Sequence, residues 1–188
     1  MQGMMMAAVA ALLLVLTTGI IWGYNRLVFN RVRVAAAWSD IDVQLKRRSS
    51  LIPPLVDCVK TYMAFERDTL LTLSAQRQQA QQAETAAAPE RSVVESQLSA
   101  SLKQVLARAE AYPDLKANSV FLDLQHALSD VENQIQMARR YYNGAVRELN
   151  VLVESVPTNL LAKAFGFSGA AYFALDDSSQ AQPPKMEF

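Results

Sequence analysis

The N-terminal part of the chain is one almost unbroken apolar run. No charged side chain occurs between Met1 and Asn25, and the stretch from Met4 to Trp22 is almost wholly apolar. At 1.5 Å of rise per residue, a helix of this length spans a hydrocarbon core about 30 Å thick. A cleaved signal peptide would begin with basic residues and end in small ones, and this run does neither. The pattern therefore predicts an uncleaved transmembrane anchor over residues 1–25.

Aromatic and basic residues follow the apolar run on one side. Trp22 and Tyr24 are typical of side chains that lie at a membrane–water interface. Arg26, Arg31 and Arg33 come next and are expected to anchor the same interface, whereas nothing basic but the α-amine precedes the run. Because positive residues stay on the cytoplasmic side, we predict that the N-terminus points out and the rest of the chain faces the cytoplasm.

Beyond the anchor, apolar residues recur at the three- and four-residue spacing of amphipathic helices. The clearest stripe runs without a break from Phe121 to Leu152, with Asn118 or Ser119 as its N-terminal cap and Pro157 as its end. Shorter stripes predict three earlier helices, over residues 34–52, 54–88 and 90–110. Pro53 and Pro54 are expected to begin the second of these helices, because proline is tolerated in the first helical turn.

The predicted fold is all-α, with a single N-terminal transmembrane helix followed by an antiparallel four-helix bundle of long helices. No proline separates the apolar run from the first amphipathic segment, so one continuous helix is compatible with the pattern. We expect three regions: a transmembrane anchor at residues 1–25, a cytoplasmic helical bundle at residues 26–173 and a disordered polar tail at residues 174–188.

Charged side chains fall on or beside the predicted core stripes. They are Arg48, Glu66, Arg77, Glu132 and Arg139. A charge at such a position must be paired or reach solvent, because an unpaired buried ion costs several kcal/mol. The favoured interpretation is a structural ion network that fixes helix register, or long side chains that extend to solvent. The alternative is a ligand or metal site in the core of the bundle.

The segment over residues 160–173 is apolar and carries four aromatic side chains. They are Phe165, Phe167, Tyr172 and Phe173. We expect these side chains to fold back on the bundle as a C-terminal cap. The alternative is an exposed patch that contacts a neighbouring subunit or the lipid headgroup layer.

Composition and motifs exclude several classes of function. The 18 basic and 18 acidic residues form no basic stripe interleaved with aromatics, so no nucleic acid partner is expected. Cys58 is the single cysteine, and the single histidine, His126, lies off its core stripe, so a di-metal bundle site is not expected. Ser168 lies in a loose match to a nucleophile elbow, but no histidine follows it. We therefore expect no enzymatic activity, no cofactor, no metal and no small-molecule substrate.

Three stretches carry a specific set of motifs. The first begins Ala37-Trp38-Ser39-Asp40 and includes Leu51-Ile52-Pro53-Pro54, the second begins Tyr112-Pro113-Asp114-Leu115 and includes Ala138-Arg139-Arg140-Tyr141, and the third is Val156-Pro157-Thr158-Asn159-Leu160. In this order they resemble the LemA family of bacterial membrane proteins. The resemblance implies an anchored helical bundle on the cytoplasmic side of a bacterial inner membrane, without an established enzymatic activity. Because the family includes proteins of magnetosome membranes, it also implies a role in organising membranes.

Two positions depart from the family's pattern. Phe65 stands where a histidine often precedes the glutamate of the second helix, which weakens any metal-site hypothesis, and Pro54 stands where the family often has asparagine. We expect a non-enzymatic scaffold or adaptor that contacts the lipid bilayer and forms homo-oligomers or docks other membrane proteins. The alternative is a sensor or regulator that binds a small ligand among the charged residues of the bundle seam.

Overall fold

A computed structural model describes residues 1–63 and 66–173 of the chain. The regular elements in these ranges are α-helices: α1 (Gln2–Val59), α2 (Arg67–Gln82), α3 (Ala88–Ala109), α4 (Pro113–Lys116), α5 (Ser119–Glu154) and α6 (Thr158–Ala164). The all-α class predicted from the sequence is confirmed. The predicted polar tail at residues 174–188 lies outside the described residues.

Helix α1 contains both the apolar run and the first predicted amphipathic segment. Its most apolar stretch has a mean hydropathy of 2.4 and no buried residue, and residues 1–22 are exposed throughout. Within the described residues, α1 is the single helix long and apolar enough to cross a membrane. Length and composition are therefore compatible with the predicted anchor.

The prediction that Pro53 and Pro54 begin a second helix was wrong, because α1 continues through both prolines to Val59. Pro53 has no N–H to donate to the carbonyl of Ser49, four residues earlier. That carbonyl instead accepts a hydrogen bond of 2.9 Å from Nε of Arg77. A side chain of α2 thus replaces one of the two helical bonds that the prolines remove.

The break between α1 and α2 lies after Val59, in a stretch without glycine or proline. The N–H groups of Tyr62 and Met63 both donate to the carbonyl of Val59, which closes a turn. Met63 is fully buried, and Nδ2 of Asn118 donates to the Tyr62 hydroxyl at 3.2 Å. Contacts distant in sequence therefore hold this turn in the absence of a local breaker.

Helices α3 and α5 begin and end close to the predicted positions. The Asn118 side chain caps α5 as predicted, since its Oδ1 accepts a hydrogen bond of 3.1 Å from the N–H of Phe121. Helix α5 ends at Glu154, before Pro157. Apolar spacing, together with a proline in the first turn of α3 and the Asn118 cap of α5, is sufficient to predict these two helices.

The chain divides into two compact units, and α1 and α5 each contribute to both. The first unit, here called the anchor unit, comprises Met1–Ser39 and Tyr141–Ala170. The second, here called the central unit, comprises Asp40–Arg140 and the segment that begins at Ala171. In the central unit, α1, α2, α3 and α5 all contribute side chains to one apolar core, for example Leu55, Leu73, Leu98 and Leu128. The anchor unit has a smaller core around Leu27, Leu152, Ala162 and Phe167.

Candidate functional site

The central unit contains a group of paired, largely buried charges, here called the charged cluster. Its members are Asp42, Arg48, Arg91, Glu95, Ser99 and Glu132. Arg48 is 1% exposed, and its Nη2 lies 2.5 Å from Oε2 of Glu95 and 3.1 Å from the carbonyl oxygen of that residue. Its Nη1 lies 3.1 Å from Oε2 of Glu132 and also donates to the Ser99 hydroxyl. One guanidinium from α1 therefore joins α3 to α5.

Arg91 is the second buried guanidinium of the charged cluster. Its Nη2 donates to Oδ1 of Asp42 at 2.6 Å, and its Nη1 donates to the carbonyl of Glu84 at 3.0 Å. Its Nε lies 3.8 Å from Oε1 of Glu95, so Glu95 lies between Arg48 and Arg91. The two arginines face three carboxylates, those of Asp42, Glu95 and Glu132. This pairing offsets the free-energy cost of removing the charges from water.

The partly exposed edge of the cluster is formed by Asp42 and Lys46. Burial acts to raise the pKa of Asp42, but hydrogen bonds from Lys46 and Arg91 outweigh it and hold that pKa below its usual range. The same hydrogen bond to Asp42 raises the pKa of Lys46, whose Nζ lies 2.9 Å from Oδ2 of Asp42. Both side chains therefore remain charged around neutral pH.

A cavity of about 10 Å³ lies against the cluster, lined in part by Arg48, Glu132, Arg139 and Phe173. The Arg139 side chain is 3% exposed, and its guanidinium carbon lies 5.4 Å from the centre of the Phe173 ring. A space of this size holds about one water molecule and no larger ligand. The interior of the cluster is therefore suited to structural pairing of charges.

The structure brings together part of the ion network predicted from the sequence. Arg48 and Glu132 are in direct contact, and Arg139 lines the same cavity. Glu66 instead pairs with Arg108, and Arg77 donates to the Ser49 carbonyl. The charged positions of the second predicted helix thus have partners of their own.

Sequence reasoning missed the contribution of α3 to the charged cluster. Arg91, Glu95 and Ser99 are spaced four residues apart, so they lie along one side of α3, and all three are buried. The same spacing occurs on solvated helix faces, which is why it was not identified as buried. The sequence did offer one indication that this side of α3 is buried. Small serines, including the buried Ser92 and Ser101, lie close to the charged residues.

A larger groove of about 320 Å³ lies between α3 and α5 of the central unit. It is lined by Ser99, Leu102, Lys103, Leu106, Gln125, Leu128, Ser129, Glu132 and Asn133. Ser99 and Glu132 belong to the charged cluster, so the groove joins the cluster to the surface. Within the described residues, no group of three or more His, Cys, Asp and Glu side chains is placed to hold a metal ion.

In the anchor unit, aromatic and basic residues near the end of the apolar run contact the C-terminal segment. The Tyr24 ring lies edge-on to Phe165 and Phe167, at centroid distances of 5.0 and 5.7 Å. The guanidinium of Arg26 lies 5.2 Å from the Trp22 ring, and that of Arg31 lies 5.0 Å from the Phe167 ring. These cation–π contacts place Arg26 against the end of the apolar run and Arg31 against the C-terminal segment.

Arg33, the last of the predicted interface residues, binds helix α5 within the anchor unit. Its Nε donates to the Tyr141 hydroxyl at 3.3 Å, and its Nη1 lies 2.5 Å from Oε2 of Glu148. The hydrogen bond with Tyr141 and the charge of Glu148 raise the pKa of Arg33. Nearby, the Trp38 ring packs on Tyr142 at a centroid distance of 5.4 Å.

The four predicted aromatic residues of the C-terminal segment differ in burial. Phe167 is buried in the core of the anchor unit, and Phe173 is buried in the central unit. Phe165 and Tyr172 are 55% and 48% exposed. Two of the four side chains are therefore buried and two are exposed, and the function of the segment stays a prediction.

The model of the LemA family matches residues 37–188 of the chain. The chain belongs to the LemA family. It is also similar to Protein LemA of Metamycoplasma hominis, with 27% identity over 151 residues, which cover 79% of this chain and 68% of that protein. The resemblance inferred from the three motif stretches is confirmed. In this LemA-family chain, the matched region contains the charged cluster and the C-terminal segment, and the apolar run precedes it.

Proposed function

We propose that this LemA-family chain is a membrane-anchored, non-enzymatic scaffold or adaptor at the cytoplasmic face of a bacterial inner membrane. The observation that carries the proposal is the continuity of α1. This one helix contains both the exposed apolar run and residues of the charged cluster. A single helix therefore connects a lipid-compatible surface to the packed part of the protein.

The hydrogen bonding of the apolar run supports a location in lipid. The Thr17 hydroxyl donates to the carbonyls of Leu13 and Leu14, at 2.9 and 3.0 Å, and the Thr18 hydroxyl donates to that of Leu14 at 2.7 Å. In a hydrocarbon core, polar groups must find such internal partners because no water is available. The two threonines are thus compatible with a transmembrane helix.

We propose that the helical part is an antiparallel four-helix bundle built from α1, α2, α3 and α5. All four helices contribute to the core of the central unit, and the charged cluster links three of them. The buried charges are paired with one another, and this supports a role in fixing helix register. With the charges paired inside, the outer faces of the helices are available to other proteins or to further copies of the chain.

Photo-crosslinking in intact membranes tests the scaffold. A photoreactive amino acid replaces exposed residues on different helices of the full-length chain, such as Val43, Leu71 and Val93. We expect at least one position to crosslink either to the same peptide of another copy or to one dominant partner protein, identified by mass spectrometry. A chain that remains uncrosslinked and monomeric at every position contradicts the proposal.

Cysteine labelling tests the orientation independently. Gln2→Cys and Val93→Cys are placed singly in a Cys58→Ser background, because Cys58 is the only native cysteine. With a membrane-impermeant maleimide, we expect labelling of Gln2→Cys in intact cells and labelling of Val93→Cys only after the inner membrane is permeabilised. The reverse pattern contradicts a cytoplasmic bundle, and labelling of both in soluble fractions contradicts the anchor.

A second candidate function, a sensor that binds a small ligand, is favoured by the groove between α3 and α5. Its volume of about 320 Å³ lies within the range of small-molecule sites, and Lys103, Gln125 and Asn133 provide polar groups along it. A thermal-shift screen of metabolites on the full-length protein tests this function. A ligand-dependent rise in stability that is lost in Leu106→Trp, which fills the groove, supports it, and a flat screen contradicts it.

A further inference from the structure

The surface around α6 has exposed apolar side chains next to a lysine. Val156, Leu160 and Phe165 are 78%, 64% and 55% exposed, and Lys163 is also exposed. Leu160 and Lys163 are three residues apart in α6, so they lie on the same side of that helix. Val156, Leu160, Lys163 and Phe165 are here called the α6 surface.

Contacts within the anchor unit place α6 beside the end of the apolar run. A Cβ atom on Gly23 would lie 2.6 Å from Cδ1 of Leu161, so the absence of a side chain at Gly23 allows α6 to approach α1 closely. The Tyr24 ring lies 5.0 Å from that of Phe165. Gly23 and Tyr24 directly follow Trp22, and two residues of helix correspond to about 3 Å along the axis.

This position corresponds to the headgroup layer when the apolar run crosses a bilayer. Each headgroup region is about 5–7 Å deep, outside a hydrocarbon core of about 30 Å. Residues that pack on Gly23 and Tyr24 therefore lie at the depth where apolar side chains can reach the acyl chains and basic side chains can reach the phosphates.

The charges around the α6 surface suit an anionic headgroup layer. Residues 1–39 contain no acidic side chain, and Glu154 is the only one in residues 149–173. Arg26 and Lys163 are exposed, and Glu148 is already paired with Arg33. Each basic side chain near an anionic surface contributes about 1 kcal/mol of attraction.

We propose that the α6 surface is a second membrane contact, in which Leu160 and Phe165 enter the outer part of the acyl layer and Lys163 contacts lipid phosphates. The occupant is the bilayer that surrounds the anchor, since the surface is continuous with the apolar run. The proposal rests on the anchor of the proposed function and extends membrane contact to the C-terminal segment.

Depth-dependent fluorescence quenching of the full-length chain in liposomes tests the contact. Single cysteines are introduced into the Cys58→Ser protein, labelled with an environment-sensitive fluorophore and reconstituted into phosphatidylcholine–phosphatidylglycerol vesicles containing spin-labelled quencher lipids. Leu160→Cys reports on the α6 surface. Val32→Cys is the matched control, because it is 58% exposed and lies about 15 Å beyond Trp22 along α1. Leu13→Cys reports on the apolar run, where the residue is 57% exposed.

We expect the label at position 160 to be quenched by shallow quenchers several-fold more strongly than the label at position 32. Lys163→Gln should reduce that quenching in vesicles with phosphatidylglycerol and leave it unchanged in pure phosphatidylcholine. Equal quenching at positions 160 and 32, with strong quenching at position 13, overturns the α6 contact and leaves the anchor intact. If a pyrene label at position 160 shows excimer emission and no quenching by the lipids, the α6 surface contacts a second copy of the chain. That result also overturns the membrane contact. Absence of quenching at position 13 overturns the anchor itself.

Discussion

Arg48 and Glu95 form an ion pair whose side chains are only 1% and 7% exposed, with 2.5 Å between Nη2 and Oε2. Two opposite charges in such a place gain attraction in a low dielectric, but both also lose their hydration. For this reason we expect the pair to contribute little net free energy to folding, whereas one of the two charges buried without the other should be strongly destabilising. We therefore propose that the pair acts mainly by excluding helix registers in which Arg48 and Glu95 do not meet.

Removal of one partner of this pair should be far more costly than removal of both. Glu95→Ala is expected to lower the free energy of unfolding by about 3–5 kcal/mol, because it leaves Arg48 buried with a partner missing. The double variant Arg48→Met/Glu95→Leu should recover most of that loss. Urea denaturation of the full-length chain in detergent, followed by circular dichroism, measures both values.

The exposed pair of Asp57 and Lys60 is the control, because its side chains are 69% and 61% exposed. Asp57→Ala should cost less than about 1 kcal/mol, as is usual for surface ion pairs. A Glu95→Ala variant as stable as Asp57→Ala would show that the Arg48 pair does not restrict the fold. A double variant less stable than Glu95→Ala would show that the contacts of Arg48 with Glu95, Glu132 and Ser99 together stabilise the protein by more than the burial of Arg48 costs.

Arg77 should contribute to stability mainly because Pro53 interrupts the hydrogen bonds of α1. Arg77→Met leaves the Ser49 carbonyl without its donor and is expected to cost about 1–3 kcal/mol. In a Pro53→Ala background, the N–H of residue 53 can bond that carbonyl, so the same substitution should cost much less. The four proteins form a double-mutant cycle measured by urea denaturation. An equal cost in both backgrounds would assign the contribution of Arg77 to other contacts.

The structural role of Arg77 explains which elements could be predicted from the sequence. The apolar run and α5 depend on spacing and caps that lie within the elements themselves, so the periodicity from Phe121 to Leu152 was sufficient. At Pro53, by contrast, the carbonyl that loses its helical bond accepts from a side chain of α2, and in the turn after Val59 the side chain of Met63 is fully buried. A pattern within one segment contains no information about such partners.

The same limit applies to the charged cluster. Arg48 and Glu132 could be identified because they interrupt or flank apolar stripes. Arg91 and Glu95 could not, since a stripe of polar residues four apart is equally typical of a solvated face. Their partners on α1 are Asp42 for Arg91 and Arg48 for Glu95, and only the packing of the helices brings these partners to them.

Stability should depend on pH through Asp42. Its folded-state pKa lies below the unfolded value of about 4, so the ionised carboxylate stabilises the folded state. This contribution is fully present above the unfolded pKa and is lost as the pH falls through the folded one. The stability difference between the native protein and Asp42→Asn should therefore be largest near neutral pH and shrink below about pH 4. Urea midpoints between pH 7 and pH 3 measure it, and a difference that does not change with pH would contradict this role.

Asn150 should hold the C-terminal segment through a pair of hydrogen bonds to one residue. Its Oδ1 accepts from the N–H of Ala170 at 2.8 Å, and its Nδ2 donates to the carbonyl of Ala170 at 3.0 Å. Asn150→Ala removes both bonds and is expected to cost about 1–3 kcal/mol, and Asn150→Asp should cost at least as much, because it places a carboxylate oxygen against the Ala170 carbonyl. Thermal unfolding of the full-length chain, together with the rate of proteolysis after Phe167, measures the effect.

Gly169 provides the test of whether this contact or general packing is responsible. A Cβ at position 169 would lie 2.8 Å from Oδ1 of Asn150, so Gly169→Ala must displace the amide and should destabilise the protein when Asn150 is present. With Asn150→Ala, that clash is absent and Gly169→Ala should have little further effect, so the two substitutions are expected to be non-additive. If the two free-energy changes were fully additive, Gly169 would act independently of Asn150. The close approach of the Asn150 amide to the backbone at residue 169 would then not be what holds the segment.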